Sequence, residues 1–565
     1  MGPSMSFKGQ AMPTFSYARA KASKRGVATG LPALFLAGTA LGFAGTAVSL
    51  TVAASPAFAA GTALYAYAGG RAVLPSNCPI TATASKECTL GEALSLAVAG
   101  DTVALATPGR VAHYVGNWTV RTPFTSSSKP LTIEAAPGVT NPTLDGNRGK
   151  LAGCGTVVCH GPVLTILSGL HVRTDRLTFQ NADNTVTNFG GAIENEGGGT
   201  LTVLASAFSG NTAANGGAID NGDNHGAGTL IVTGSTFSGN SAIGAKTGTG
   251  NGGAIDNGDN SGSGTLSVSG STFSGNSATG SQRGTGGGGA IDNGDDHGAG
   301  MLSVSGSTFL GNKANYGGAI ANATVSASVS GSTFSGNSAG YGGAIADGVS
   351  GIAALSVSGS TFTQNSASAN GGAIDNGDGI SFRGALTVTV STFSGNSATG
   401  SGRAVGVIAL AHRGDGGAID NADNEGDGTL TVTASTFSGN TARNGGDTIA
   451  NFFTVWASAD IFNGPCHESV GGIWNDEGYN VAAGTTCLSA GTGDIRHGAD
   501  QLGPLAHNAG PTETLLPLKG NPAIGAVPYH TNVVLNGRSV ALCPAKDQRG
   551  TPSASGQRCN AGAVQ

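Results

Sequence analysis

Acidic turns recur through the middle of this 565-residue chain and offer its densest set of hard oxygen ligands. Asp220-Asn221-Gly222-Asp223-Asn224 returns at 256–260, 292–296, 375–378 and 420–424. If these turns stack, Asp223, Asp259, Asp295, Asp378 and Asp423 share one edge of the molecule. Like charges that close repel unless water or a cation screens them. Carboxylate and amide oxygens suit Ca²⁺, so these five are the candidate metal ligands, with solvated turns as the alternative. Their spacing is neither an EF-hand nor the Gly-rich nonapeptide Ca²⁺ repeat. No cofactor is required, and Ca²⁺ is the one candidate.

Other chemistry is sparse. Arg173, Asp175 and Arg176 form the best charged cluster outside the repeated turns, and surface charge explains them equally well. His225 and His297 sit at equivalent turn positions beside acids, where an imidazole is usually just solvated. Arg413-Gly414-Asp415 sits at the end of the widest insertion, and such a tripeptide on an exposed loop engages integrins. In a chain with 98 glycines, against an average near 7%, chance supplies it easily. Charged residues make up 11% against roughly 25% in ordinary domains. The composition excludes collagen, coiled coils and membrane bundles.

The N-terminus reads as an export signal. Lys8, Arg19, Lys21, Lys24 and Arg25 form a basic stretch, no charge follows from Gly26 to Gly70, and Ala57-Phe58-Ala59 suits a signal peptidase. Met5 or Met12 would serve equally as the start, and retention of the apolar run as an anchor is the alternative. Cleavage removes five basic residues and no acid, which deepens a formal charge of −6. Nucleic acid and anionic membranes are therefore poor partners. Eight cysteines pair by position as Cys78 with Cys88, Cys154 with Cys159, Cys466 with Cys487 and Cys543 with Cys559. In an exported chain these read as local disulfides, free thiols being the alternative.

Two words position everything else. Gly-Gly-Ala-Ile places Ile193, Ile219, Ile255, Ile291, Ile320, Ile345, Ile374 and Ile419; Phe-x-x-Asn places Phe208, Phe237, Phe273, Phe309, Phe334, Phe362, Phe393 and Phe437. The words alternate strictly. Before most of these Phe residues runs a Leu-x-Val pattern such as Leu266-Ser267-Val268, whose period of 2 means strand. One such unit cannot bury its own apolar face, whereas stacked units can. The expected fold is all-β: a single-stranded right-handed parallel β-helix of roughly 12 coils at ~4.8 Å each. The Ile and Phe residues form internal columns. The Asn of each Phe-x-x-Asn takes the left-handed conformation at a bend and hydrogen-bonds its neighbours as a ladder.

The interleaved words over 190–472 resemble the polymorphic outer-membrane-protein repeat of chlamydial surface autotransporters. That resemblance implies a β-helical surface adhesin. Glu87-Cys88-Thr89-Leu90-Gly91-Glu92-Ala93-Leu94 is similar to the CSLREA-type segment that opens bacterial β-helices, with Gly91 where Arg is usual; Thr89 and Glu92 have capping-box spacing. Gly510-Pro511-Thr512, Asn521-Pro522-Ala523-Ile524-Gly525, Asp547-Gln548-Arg549-Gly550 and Cys559-Asn560-Ala561-Gly562 resemble a choice-of-anchor Q domain, with Gly525 and Asn560 in place of Asp.

The expected organisation is a signal peptide at 1–59, linker and N-terminal cap at 60–100, β-helix at 101–487 and a C-terminal cap or anchor-like domain at 488–565. The expected role is a secreted or cell-surface structural and adhesin-like protein. It would act as a monomer with no membrane span in its mature form and bind extracellular glycans or a neighbour's surface macromolecules without a catalytic centre. The alternative is a polysaccharide-active enzyme, pectate-lyase-like or a glycoside hydrolase. A galacturonase-like site would show further acid and His motifs beyond Asp295-Asp296.

Overall fold

The computed structural model describes residues 61–68, 78, 88–106, 112–121, 129–149, 160–222, 226–244, 250–258, 262–280, 286–294, 300–323, 326–348, 352–377, 383–401, 414–422, 427–553 and 555–565. The expected export signal and the Cys154–Cys159 pair lie outside the described residues.

Each repeat makes one coil of three principal strands. In the coil around Phe273, Thr265–Ser269 turns Leu266 and Val268 inward and Thr265, Ser267 and Ser269 outward. A Gly-Ser corner leads to Thr272–Ser274, with Phe273 inward. A second corner, Ser277–Ala278 and the next Gly-Gly lead to Ile291–Asn293. Every strand then pairs in parallel with its copy one coil on. The Leu/Val strands form a 14-stranded sheet from Ala63–Tyr67 to Ile473–Asp476. The Phe strands form another of 14, from His113–Val115 to Ile495–Arg496, and the Ile strands one of 12. The protein is a parallel β-helix. The first strand among the described residues, Ala63–Tyr67, falls within the stretch read as linker and cap, because Ala66 pairs with Leu105 as one more rung.

The core is a set of columns. Ile193, Ile219, Ile255, Ile291, Ile320, Ile345, Ile374 and Ile419 pair in register and are buried. The Phe rings stack face to face, with centroids 4.6 Å apart at Phe208 and Phe237 and 4.7 Å at Phe309 and Phe334. Asn211, Asn240, Asn276, Asn312, Asn337, Asn365, Asn396 and Asn440 form a buried ladder, each Nδ2 donating to the Oδ1 of the next. The left-handed conformation expected of these Asn residues falls instead on the residue before them, a glycine as at Gly275, φ +60°, except at Gln364, φ +54°. Gly tolerates that conformation without a Cβ clash and leaves Asn free to serve the ladder.

The two glycines of each Gly-Gly differ in purpose. Gly252 has φ +62° and a Cβ on it would meet its own coil, 2.2 Å from the Ile255 carbonyl oxygen, whereas a Cβ on Gly253 would sit 2.1 Å from the carbonyl oxygen of Gly289 on the next coil. Gly253→Ala must therefore force two coils apart. We expect it to cost about 3 kcal/mol, the upper range for overpacking. Gly275→Ala, with nothing within 4 Å, should cost only the conformational strain of about 1–2 kcal/mol. Thermal unfolding of the two variants checks the order, and equal shifts would refute it.

At the N-terminal end Thr89 and Glu92 form both halves of a capping box on the helix Leu90–Leu96. Disulfides join Cys78 to Cys88, Cys466 to Cys487 and Cys543 to Cys559. The chain beyond Gly498, read as part of a cap, makes lateral contacts along the flank. Gln548, 3% exposed, donates from Nε2 to Thr361 Oγ1 at 2.8 Å and to Thr512 Oγ1 at 2.9 Å, and accepts from Thr392 Oγ1 at 2.6 Å. Asp547 and Arg549 pair at 2.8 Å beside it. Thr436 Oγ1 receives the N–H of Ala563.

Candidate functional site: a hydroxyl-lined groove

The outward residues of the Leu/Val sheet line up across coils for the same reason that the inward ones do. Ser267, Ser303, Ser328, Ser356, Thr387 and Thr431 are consecutive rungs in register. They floor a groove of about 800 Å³. Its wall is the antiparallel hairpin of Asn532–Leu535 and Arg538–Ala541, which contributes Leu535, Asn536, Arg538 and Val540. Arg538 is the charged side chain among the described lining residues. The groove thus presents a row of hydroxyls, one per coil, beside one guanidinium.

The charged clusters lie elsewhere. Register places Glu134 beside Asp175 and Thr132 beside Arg173 on the outer face of an early coil. Arg173 pairs with Asp175 at 2.9 Å, and Arg176 reaches Asp175 at 3.4 Å and Glu134 at 3.7 Å. Burial raises the Glu134 carboxyl above its ordinary range against the pull of Arg176. Both guanidiniums are engaged by carboxylates, so the cluster reads as an ion-pair network outside the groove. Asp145, unnoticed in the sequence, takes hydrogen bonds from Gln180 at 2.8 Å and the Asn147 N–H at 2.7 Å and meets His113 Nε2 at 2.9 Å. Burial pushes its carboxyl up, but these bonds outweigh burial and hold it low. Near the last coils, burial raises Asp494 to about 7, reinforced by the neighbouring carboxylate of Asp476.

The five proposed Ca²⁺ ligands, Asp223, Asp259, Asp295, Asp378 and Asp423, lie outside the described residues, as do His225 and His297. The first aspartate of each turn is described and is buried: Asp220, Asp256 and Asp292 are consecutive rungs, as are Asp375 and Asp420. Period 2 carries the signal, since the residue after a buried Ile faces the other side of its strand. Within the Arg-Gly-Asp tripeptide Asp415 is buried, 4% exposed, and Arg413 lies outside the described residues.

Residues 359–377 match the Chlamydia polymorphic membrane protein repeat. No curated protein matches the chain. Among solved structures the chain is similar to a mutant of the PL6 family alginate lyase AlyGC, with 11% identity and TM-score 0.42 over 83% of this chain. It spans 56% of that lyase. It is also similar to XylC in complex with xylose, with 8% identity and TM-score 0.36 over 89% of this chain and 98% of that one. A GH136 lacto-N-biosidase from Eubacterium ramulus matches at 11% identity and TM-score 0.31, over 77% of this chain and 68% of that one. No helix among the described residues is long and apolar enough to cross a membrane.

Proposed function

We propose that this is a secreted or surface-attached structural and adhesive β-helix that holds glycan chains along the groove of the Leu/Val sheet. The observation that carries the reading is the row of Ser and Thr hydroxyls running over six consecutive rungs beside Arg538. At ~4.8 Å per rung, an extended polyhydroxylated chain meets a fresh hydroxyl at each coil. A guanidinium donates several fixed N–H groups and favours ligands bearing a carboxylate or sulfate. The disulfides and the surface-protein repeat agree with an extracellular setting.

Binding of neutral, uronate and sulfated oligosaccharides by calorimetry tests the proposal. Arg538→Ala should weaken an acidic glycan roughly 10- to 100-fold, the worth of a charge-assisted hydrogen bond. Ser328→Trp, which fills the floor, should abolish binding of any glycan. Unchanged affinity in both variants would place the ligand elsewhere. The same titration with and without chelator tests Ca²⁺ at the acidic turns. Release of reducing or unsaturated sugar during incubation would establish the enzyme alternative.

A further inference from the structure

A second buried ladder runs through the Ile strands, and it contains one chemical exception. Asn195, Asn221, Asn257, Asn293, Asn322, Asp347, Asn376, Asn421 and Asn451 occupy successive rungs. Each amide Nδ2 donates forward to the next Oδ1, at 2.7 Å from Asn195, 2.8 Å from Asn221, Asn257 and Asn293, and 2.6 Å from Asn322 to Asp347. After Asp347 the sequence of donors resumes with Asn376 to Asn421 at 2.7 Å and Asn421 to Asn451 at 2.9 Å. Backbone carbonyls hold this polarity on both sides of the exception: Nδ2 of Asn221, Asn257 and Asn293 also reaches the oxygens of Gly228, Gly264 and Gly300, and that of Asn421 reaches Gly428. The amides cannot all be turned round without abandoning those contacts.

The chain of donors breaks at one place. Oδ2 of Asp347 and Oδ1 of Asn376 are both buried, and neither has a hydrogen-bond partner. They belong to paired residues on adjacent strands. Two bare oxygens facing across a coil seam repel, whereas one proton between them makes a hydrogen bond. We propose that Asp347 is a neutral carboxylic acid whose Oδ2–H donates to Oδ1 of Asn376, and that losing this proton loosens the seam between these two coils. Asp347 is thereby a pH-sensitive joint in an otherwise uniform stack.

The surroundings agree. Asp347 is 2% exposed. Burial raises its carboxyl to about 7, against the opposing hydrogen bond from Asn322. The strands packed against it, Ile320–Asn322, Ile374–Asn376, Ile352–Ser358 and Arg383–Thr389, bring two charged residues by sequence, Asp375 and Arg383. Asp375 pairs with Ala346 and so points to the opposite face of its strand. The side chain of Arg383 lies outside the described residues.

A raised folded-state value means that the folded protein keeps a proton the unfolded chain has lost. The stabilisation is complete below about pH 4 and declines as the pH rises to about 7. Above that both states are ionised and the difference is constant. Asp347→Asn supplies a permanent donor to Asn376. Its folding constant relative to the natural protein should grow roughly tenfold per pH unit between about 4 and 7 and level off above. Buried Asp460 and half-buried Asp494 titrate in both proteins and cancel in this comparison.

The decisive measurement is infrared spectroscopy of the full chain with isotope-labelled aspartate. The difference between the natural protein and Asp347→Asn should show a protonated-acid carbonyl band at about pH 5.5 that disappears with a midpoint near 7. Absence of that band overturns the proposal, as does a stability difference independent of pH. Amide hydrogen exchange needs no variant. The Gly377 N–H, bonded to the Asp347 carbonyl at 2.8 Å, should lose protection above pH 7 beyond ordinary base catalysis, while the Gly258 N–H in an all-Asn part of the ladder does not. Equal behaviour of the two amides would also overturn it.

Discussion

Phe309→Ala should destabilise the β-helix by about 3–5 kcal/mol, the usual cost of deleting a buried aromatic ring. Phe309 is fully buried between Phe273, at 4.9 Å, and Phe334, at 4.7 Å, and both neighbours lose a stacking face with it. The backbone above and below is tied by in-register pairing, so the cavity cannot collapse cheaply. In a solenoid each coil touches only its neighbours, so the damage should also be local. Hydrogen exchange should accelerate in Thr272–Ser274, Thr308–Leu310 and Thr333–Ser335 and leave the distant strand Thr143–Asp145 protected. A loss below about 1 kcal/mol, or uniform deprotection along the chain, would contradict this account.

Gln548→Ala should release the segment beyond Gly498 from the flank. The Gln548 amide bridges two successive Thr rungs, and its removal strands the Thr392 hydroxyl and takes a donor from those of Thr361 and Thr512, which still donate to the carbonyls of Glu513 and Gly359. The one buried hydroxyl left without a partner costs about 1–3 kcal/mol and each of the two lost donated bonds roughly 0.5–1.5 kcal/mol, which together are enough to loosen the docking. Limited proteolysis should then cut within 499–565 at least tenfold faster, with the β-helix itself intact. Gln548→Glu makes a sharper test: it keeps the acceptor for Thr392 but loses the donors to Thr361 and Thr512. Cleavage at the natural rate in both variants would mean that the bonds of Ala563 to Thr436, Thr512 to Gly359 and Thr361 to Glu513 suffice to hold the segment.

The repeat architecture was legible in the sequence because its determinants are local and reiterated. Ile and Phe at fixed stations, Leu-x-Val with period 2 and paired glycines can each be read within one repeat. Stacking follows because one repeat cannot bury its own face. The in-register columns are then a consequence of parallel pairing and add no further choice.

What required the tertiary structure depends on which side of a strand or corner is covered, and by what. Of the two aspartates in Asp256-Asn257-Gly258-Asp259, the sequence drew attention to the second. The fold buries the first, because alternation after Ile255 turns it away from the core into a region closed by neighbouring chain. Asp347 looks in sequence like one more acidic residue near a turn. Only the ladder shows that it stands where every other rung offers an amide. The groove and the docking of Gln548 join residues more than 100 positions apart, Ser328 with Arg538 and Thr361 with Gln548. Their meeting is set by how many coils accumulate before the chain turns back along its own flank, a sum over all insertions that no single motif records.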